Sequence, residues 1–167
     1  LFHPMYTARQ GILWQGDWRQ KLSFNGITGE YTIKLAAIDQ DASDLPGDPV
    51  ANQRFDGWRG SIETKGKFSL SSWWSFGWDV TLESDDTFRR FYKLDNILQT
   101  DRVNRVYITG LSDRNYFGAR LYQFGGLLLD DTSLSESRTH PIVDYNYIFA
   151  DPVLGGELSF NMNALSF

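Results

Sequence analysis

The chain has 167 residues, which suits a single domain, and it carries 21 acidic against 16 basic residues, a net charge of −5. It has no cysteine and only two histidines, which excludes disulfides and thiolate chemistry and disfavours the common zinc sites. The acidic balance argues against nucleic acid as a partner, and the longest apolar run, four residues, is far below the ~20 residues of a transmembrane helix.

Apolar and polar residues alternate along much of the chain, which is the period of a β-strand. In residues 12–24, five of seven even positions are apolar and five of six odd positions are polar. The alternation recurs from Tyr31 and in residues 58–70 and 76–82. Many single aromatic residues among polar ones are typical of strands with one apolar and one wet face.

The second half of the chain continues this pattern less regularly. Residues 102–111 and 115–129 are rich in β-branched and aromatic side chains, and alternation returns in 143–149 and 158–164. Residues 1–7 predict a partial strand, since Pro4 is tolerated best at an edge or a bulge. The sequence therefore predicts about nine strands and at most one helical turn, within residues 86–95.

The predicted connections alternate in length. Short ones fall at residues 25–28, with the turn pair Asn25-Gly26, and at 71–75, 112–114 and 150–155. Long polar ones fall at 41–54, 84–101 and 130–139, and the short link 8–11 shares their end. We therefore predict an all-β fold, a segment of an antiparallel transmembrane β-barrel with short periplasmic turns and longer extracellular loops.

The two faces of such strands meet different surroundings. Side chains of one parity are expected to contact lipid: Trp14, Trp18, Ile33, Ile62, Trp78, Val80 and Phe160. Charged side chains of the other parity are expected to face a water-filled lumen: Arg19, Lys21, Lys34, Arg59, Glu63, Lys65 and Lys67. Trp73 and Trp74 lie at a short turn, where an aromatic belt would meet lipid headgroups; a turn-capping pair under a soluble sheet is the alternative.

Four strings in order resemble one family. They are DDTFRRFYKLDN at residues 85–96, GLSDRNYFGARLYQF at 110–124, HPIVDYNYIF at 140–149 and DPVLGGELSFNMN at 151–163. Together they resemble the LPS-assembly outer-membrane protein LptD, also called the organic solvent tolerance protein, in its alphaproteobacterial form. The resemblance runs over nearly the whole chain and depends on the order of the strings, since no catalytic motif is involved.

The resemblance implies a non-enzymatic protein with a periplasmic jellyroll and a barrel of about 26 strands. Such a protein receives lipopolysaccharide (LPS) from a periplasmic bridge, inserts it into the outer leaflet and holds a plug lipoprotein, LptE, in its lumen. On this comparison residues 1–167 are part of one barrel domain, in its N-terminal half, without the jellyroll, the remaining strands or the lateral gate. Pro4 is then one strand too late for a gate proline, and the absent cysteines depart from members with jellyroll–barrel disulfides. No cofactor or metal is implied.

The side chains predicted to face the lumen include a basic cluster, formed by Arg59, Lys65 and Lys67. Through the resemblance, these cations are expected to meet LPS phosphates or the plug protein. A mutual salt-bridge network with Glu63 on the same face is the alternative. Arg89 and Arg90 lie among aromatic residues in the long loop 84–101, which either folds over the lumen mouth or is solvated.

Residues that suggest other chemistry are weak candidates. An acidic loop lacks EF-hand spacing and is interrupted by prolines, which disfavours a calcium site at Asp39, Asp41, Asp44 and Asp48. Adjacent acidic residues point to opposite faces of a strand and make poor acid–base pairs; they are Asp85/Asp86 and Asp130/Asp131. His140 has Ser137 and Asp144 nearby but no nucleophile elbow. The remaining alternatives are an outer-membrane barrel enzyme, a lipid A hydrolase or protease, and a soluble ligand-binding β-sandwich.

Overall fold

The computed structural model describes residues 1–8, 10–41, 43, 56–85, 87–94, 101–126 and 138–166. They form strands β1 (Met5–Thr7), β2 (Gly11–Phe24), β3 (Ile27–Gln40), β4 (Gly57–Ser69), β5 (Trp74–Glu83), the helical turn α1 (Phe88–Phe91), then β6 (Asp101–Ser112), β7 (Asn115–Gly126), β8 (Arg138–Ile148) and β9 (Ser159–Leu165). Within these ranges, the predicted all-β class is confirmed, with nine strands and one helical turn. No helix of the described residues is long and apolar enough to cross a membrane.

The strands form one open antiparallel sheet in which each strand pairs with its neighbours in sequence, from β1 to β9. β2 and β3 are joined by Asn25 and Gly26, whose φ angles of 49° and 81° are those of a type I′ turn. The equally short turn between β6 and β7 lies at the same end of the sheet. The long connections lie at the other end, and most of their residues are outside the described ranges.

One connection at the short-turn end is longer than predicted. Ten residues, 149–158, join β8 to β9, because this segment contains a small turn of its own. Val153 and Gly156 form a β-bridge around Leu154 and Gly155, which both have positive φ.

The register fixes which residues share a face, because residues paired across antiparallel strands point to the same side. Trp18 pairs with Ile33, Ile33 with Thr64, and Thr64 with Val80. The same parity places the other residues predicted for the apolar face on this side: Trp14, Ile62, Trp78 and Phe160. We call this side the apolar face, and most of its large side chains are exposed.

Aromatic rings on the apolar face lie directly over glycines of the neighbouring strand. A Cβ added at Gly66 would come within 2.4 Å of the Trp78 ring, and one at Gly29 within 2.4 Å of the Phe68 ring. The Phe68 and Trp78 rings stack, 5.7 Å between centroids at an interplanar angle of 10°. The rings thus cover backbone that has no side chain of its own, a known way of stabilising strand glycines.

The buried core lies on the opposite side, which we call the charged face. Among the described residues it consists of Leu13, Ala36 and Ile38 on β2 and β3, with Phe88 and Tyr92 from the loop after β5. A soluble protein would bury its larger apolar surface. Here the buried cluster is small, and the continuous apolar surface is the exposed one.

Candidate functional site: the charged face of the sheet

All the charged residues predicted to face a lumen lie on the charged face. Two groups can be distinguished along the strands. The upper group, toward the long loops, contains Lys34, Arg59 and Glu63, with Lys34 paired to Glu63 in the register. The lower group, toward the short turns, contains Arg19, Lys21, Lys65 and Lys67. That this face lines a lumen stays a prediction.

Arg59 is deeply buried, with 5% of its side chain exposed. It donates from Nε and Nη2 to the two carboxylate oxygens of Asp85, each at 2.7 Å, and from Nη2 to Thr87 Oγ1 at 3.2 Å. Its guanidinium also lies 5.5 Å from the centroid of the Phe88 ring. The guanidinium is therefore engaged within the protein, and its contacts attach the loop after β5 to the beginning of β4.

This loop folds back onto the charged face. We call its described part, residues 84–85 and 87–94, the strap. Phe88 is fully buried and Tyr92 nearly so, and both belong to one buried cluster with Leu13, Ala36 and Ile38. The Tyr92 hydroxyl donates a hydrogen bond to Gln40 Oε1. The described residues of the loop fold onto this face of the sheet; that they cover the mouth of a lumen stays a prediction.

The two arginines of the strap have different environments. Arg89 donates from Nη2 to Glu63 Oε2 at 2.7 Å and is 14% exposed, whereas Arg90 is exposed. Glu63 also lies 3.7 Å from Lys34 Nζ. Glu63 therefore joins two strands and the strap. Its ion-pair partners among the described residues are Lys34 and Arg89, and not the predicted Arg59, Lys65 and Lys67.

The strap places two titratable groups in unusual surroundings. Burial raises the pKa of Asp85, but the hydrogen bonds from Arg59, Thr87 and Ser84 and the charge of Arg59 outweigh burial and hold this pKa below its usual range. Burial raises the pKa of Tyr92; the charge of Arg59 opposes the rise and that of Asp85 adds to it. Asp85 is thus a carboxylate and Tyr92 a neutral phenol at ordinary pH, the states that their hydrogen bonds require.

The lower group has fewer acidic partners. Lys65 Nζ lies 3.1 Å from Asp79 Oδ2. Lys21 Nζ lies 3.8 Å from Glu30 Oε2, with both side chains largely exposed. Two further cations, Arg19 and Lys67, are exposed and form no ion pair with any residue in the described part of the chain.

Arg105 on β6 extends the lower group and was not singled out in the sequence. Its guanidinium lies 5.0 Å from the centroid of the Tyr107 ring. Residues 102–111 show mixed parity, so only the register, which pairs Arg105 with Asp79, reveals its face. The cations of the lower group and Arg105 line a cavity of about 670 Å³ on the charged face.

Trp73 and Trp74 lie at the short-turn end, as predicted, and are exposed. Their backbone N–H groups both donate to Ser71 Oγ at 3.2 Å. The Trp74 ring lies over Gly110, its paired residue, and 5.6 Å from the Phe117 ring. A membrane-interface role for this pair stays a prediction.

The other candidates do not assemble into a site. Asp39 pairs with Trp58 on the apolar face, and hydrogen bonds from the Ser43 hydroxyl and amide lower the pKa of Asp41. Among the described residues, no group of three His, Cys, Asp or Glu side chains could hold a metal ion. Several predicted positions lie outside the described residues: Asp44, Asp48, Asp86, Asp130, Asp131, Ser137 and the side chain of His140.

A family model described as LptD, LPS transport system D, matches residues 57–167, which is more than half of the chain. The chain belongs to the LptD family. The LptD match begins at the first residue of β4 and includes the strap, Lys65, Lys67 and Arg105; it does not include Arg19, Lys21 and Lys34. No curated protein and no solved structure matches the chain.

Membership in the LptD family establishes the class of function. LptD proteins transport and assemble LPS at the bacterial outer membrane, where they reside, and they are not enzymes. The predictions of an LPS-transport function, an outer-membrane location and no enzymatic activity are therefore confirmed. The two alternatives, a barrel enzyme and a soluble ligand-binding sandwich, are wrong.

Proposed function

We propose that the chain forms part of the wall of an LptD barrel, with its apolar face toward lipid and its charged face toward a water-filled lumen. The single observation that carries this proposal is the separation of the two faces in the register. Trp18, Ile33 and Val80 share one side, while their sequence neighbours Arg19, Lys34 and Thr81 share the other. An exposed apolar surface of this extent is unfavourable in water, and in the wall of a barrel it is in contact with lipid.

The height of the apolar face supports the same assignment. Trp14 and Phe24 on β2, and Trp58 and Phe68 on β4, are aromatic pairs ten residues apart. Ten strand residues span about 33 Å, and a tilt of about 40° reduces their height to about 25 Å, the thickness of the apolar band of outer-membrane barrels. We place Trp73 and Trp74 in the aromatic belt at the short-turn end.

The proposal includes an orientation and a place in the barrel. The short turns would lie in the periplasm, and the long loops with the strap would lie outside the cell. The described residues form nine strands, an odd number, whereas bacterial single-chain barrels have an even number, which supports residues 1–167 as one part of one barrel domain. The strings at 85–96 and 110–124 favour the N-terminal half of an alphaproteobacterial barrel.

The proposed partners follow from this placement. The passenger is LPS, and membrane lipid contacts the apolar face. A plug lipoprotein like LptE would occupy the lumen against the charged face, and a periplasmic bridge would deliver LPS through a jellyroll outside residues 1–167. The proposal includes no nucleic acid, cofactor or metal ion.

Cysteine accessibility tests the assignment of the faces. Thr32 and Ile33 are neighbours on β3 that point to opposite faces, and the chain has no cysteine of its own. In the full-length protein in lipid vesicles, Thr32→Cys should react with a charged, water-soluble thiol reagent, and Ile33→Cys should not. Equal reactivity, or the reverse order, would contradict the proposal.

Labelling of intact cells tests the orientation. Asn25→Cys lies in the β2–β3 turn, and Asn52→Cys lies in a long loop, outside the described residues. An impermeant reagent should label Asn52→Cys in intact cells, and it should label Asn25→Cys only after the outer membrane is permeabilised. Labelling of Asn25→Cys alone in intact cells would invert the assignment.

A further inference from the structure

The cations of the charged face are concentrated in two adjacent rows that cross the strands. One row consists of side chains paired directly in the register across β2 to β6: Arg19, Thr32, Lys65, Asp79 and Arg105. The next row, one step toward the short turns, consists of Lys21, Glu30, Lys67, Gly77 and Tyr107. We call the five cations of these rows the girdle: Arg19, Lys21, Lys65, Lys67 and Arg105.

The cations of the girdle form three separate groups, one on each of three strands, which we call stations. Its cations lie on β2, β4 and β6, and the strands between them contribute Thr32, Glu30, Asp79 and Gly77. Strands two apart in a sheet are separated by about 9.6 Å. The stations are therefore spaced too widely for one compact anion and suit several anionic groups along an extended molecule.

The charge of the girdle is incompletely balanced. Its five cations face two acidic residues, Glu30 and Asp79, in the same rows, with Asp17 on β2 at the upper border. By contrast, Arg59 of the upper group and Arg89 of the strap each have a carboxylate at 2.7 Å. The structure thus neutralises the cations next to the strap and leaves an excess of positive charge nearer the short turns.

The girdle is also open to a ligand. Its side chains line the cavity of about 670 Å³, and no described residue of the strap lines that cavity. Tyr107 also lines the cavity, and its hydroxyl lies over Gly77, 2.4 Å from where a Cβ would be. The cavity therefore combines positive charge with a polar aromatic side chain.

We propose that the girdle binds phosphate groups on the saccharide part of LPS during its passage through the lumen; this rests on the proposed function above. Exposed pairs between Lys or Arg and an anion are individually weak, about 0–1 kcal/mol, so several of them guide an anionic chain without retaining it. Lysine and arginine side chains both donate hydrogen bonds to phosphate, and the cations on β2, β4 and β6 include both types.

The test is photo-crosslinking from Thr32, the uncharged position between Arg19 and Lys65, in the full-length protein assembled with its plug. The probes are LPS and the same LPS after chemical dephosphorylation, and a crosslinker at Ile33 on the opposite face is the position control. One variant removes charge, Arg19→Gln/Lys65→Gln/Lys67→Gln. Its matched control keeps charge, Arg19→Lys/Lys65→Arg/Lys67→Arg.

We expect the charge-removing variant to lower crosslinking of intact LPS from Thr32 about fivefold to tenfold, and the charge-keeping variant to leave it within about twofold. Dephosphorylated LPS should crosslink weakly to every form, and raising the salt concentration should reduce crosslinking of intact LPS to the unchanged protein. This salt series uses no girdle variant, so it decides the question even if the triple variant fails to assemble.

Two outcomes would overturn the inference while leaving the proposed function intact. In one, LPS crosslinks from Thr32 equally well with and without phosphate or girdle charge. In the other, the charge-removing variant loses the plug protein instead of LPS contact, which would assign the girdle to an acidic protein surface. Failure of the proposed function would differ from both, because LPS would then crosslink from Thr32 in no form while reaching the cell surface normally.

Discussion

The guanidinium of Arg59 and the carboxylate of Asp85 form two parallel hydrogen bonds of 2.7 Å, although the residues are 26 positions apart in sequence. Arg59 lies on β4, on the charged face, and Asp85 lies in the strap, two residues after the end of β5. A two-pronged pair of this kind restricts direction as well as distance. It therefore sets the angle at which the strap leaves the sheet and crosses the charged face.

Replacing Asp85 by Asn should destabilise the folded barrel by about 3 kcal/mol, because the buried Arg59 guanidinium loses the carboxylate that accepts two of its hydrogen bonds. Urea titration of the full-length protein in lipid vesicles measures the change. Asp79→Asn is the matched control: its partner Lys65 is 68% exposed, so the expected loss is below about 1 kcal/mol. Equal losses in the two variants would show that the Arg59–Asp85 pair has no special role.

The docking of the strap should be insensitive to pH across the physiological range. The pKa of Asp85 is lowered in the folded state, so its contribution to stability is present above the unfolded value of about 3.9 and is lost as pH falls through the lower folded value. The pKa of Tyr92 is raised, so its contribution is present below about 10 and is lost as pH rises through the higher folded value.

Distance measurements between spin labels at Arg90→Cys and Thr28→Cys can follow the strap as pH is varied. We expect one constant distance between about pH 5 and pH 9, with release only beyond the two pKa values. Asp85→Asn should remove the acid transition and leave the alkaline one. Release of the unchanged strap near neutral pH would contradict this prediction.

The assignment of the faces predicts opposite outcomes for two neighbouring substitutions. Val80 pairs with Thr64 near the middle of the apolar face, so Val80→Arg should cost about 2–4 kcal/mol in a bilayer. Thr81 pairs with Glu63 on the charged face, where a new arginine meets water and a carboxylate, so Thr81→Arg should cost far less. Folding titrations in vesicles compare them, and a larger cost for Thr81→Arg would reverse the parity.

The contact between Gly66 and Trp78 predicts a steric coupling. An alanine Cβ at position 66 would lie 2.4 Å from the indole ring, so Gly66→Ala should cost about 1–3 kcal/mol. In a Trp78→Ala background the same substitution should cost below about 0.5 kcal/mol, because the obstacle is absent. Gly16→Ala is the control, since the nearest atom to its Cβ is 3.9 Å away. Additive effects at positions 66 and 78 would refute the coupling.

The sequence predicted the sheet well, because a two-faced strand displays its parity residue by residue. The alternation around Trp18 and Val80 needs no long-range information, and the Asn25-Gly26 turn fixes the β2–β3 register locally. The length of the β8–β9 connection was missed, since the small turn at Leu154 and Gly155 lies within a segment that otherwise resembles a simple loop.

The interior of the charged face was less predictable, because charge pairing depends on the path of a loop. The sequence grouped Arg59 with Lys65 and Lys67, which share its parity. Of these three cations, Arg59 is the one that pairs with Asp85 of the strap, so its environment differs from that of the two lysines. Arg105 was missed for a different reason: its strand has mixed parity, so its face is visible only through its partner across the sheet.

The neighbour-to-neighbour order of the strands has a consequence for how the chain assembles. Every pairing in the sheet closes over one turn or loop, so no strand must wait for a distant part of the chain. At each stage of growth, the unpaired N–H and C=O groups of the last strand are a template for the next one. The sheet can therefore be built by successive addition of neighbouring strands, and during that growth its unpaired edges are the groups that must be protected from wrong partners.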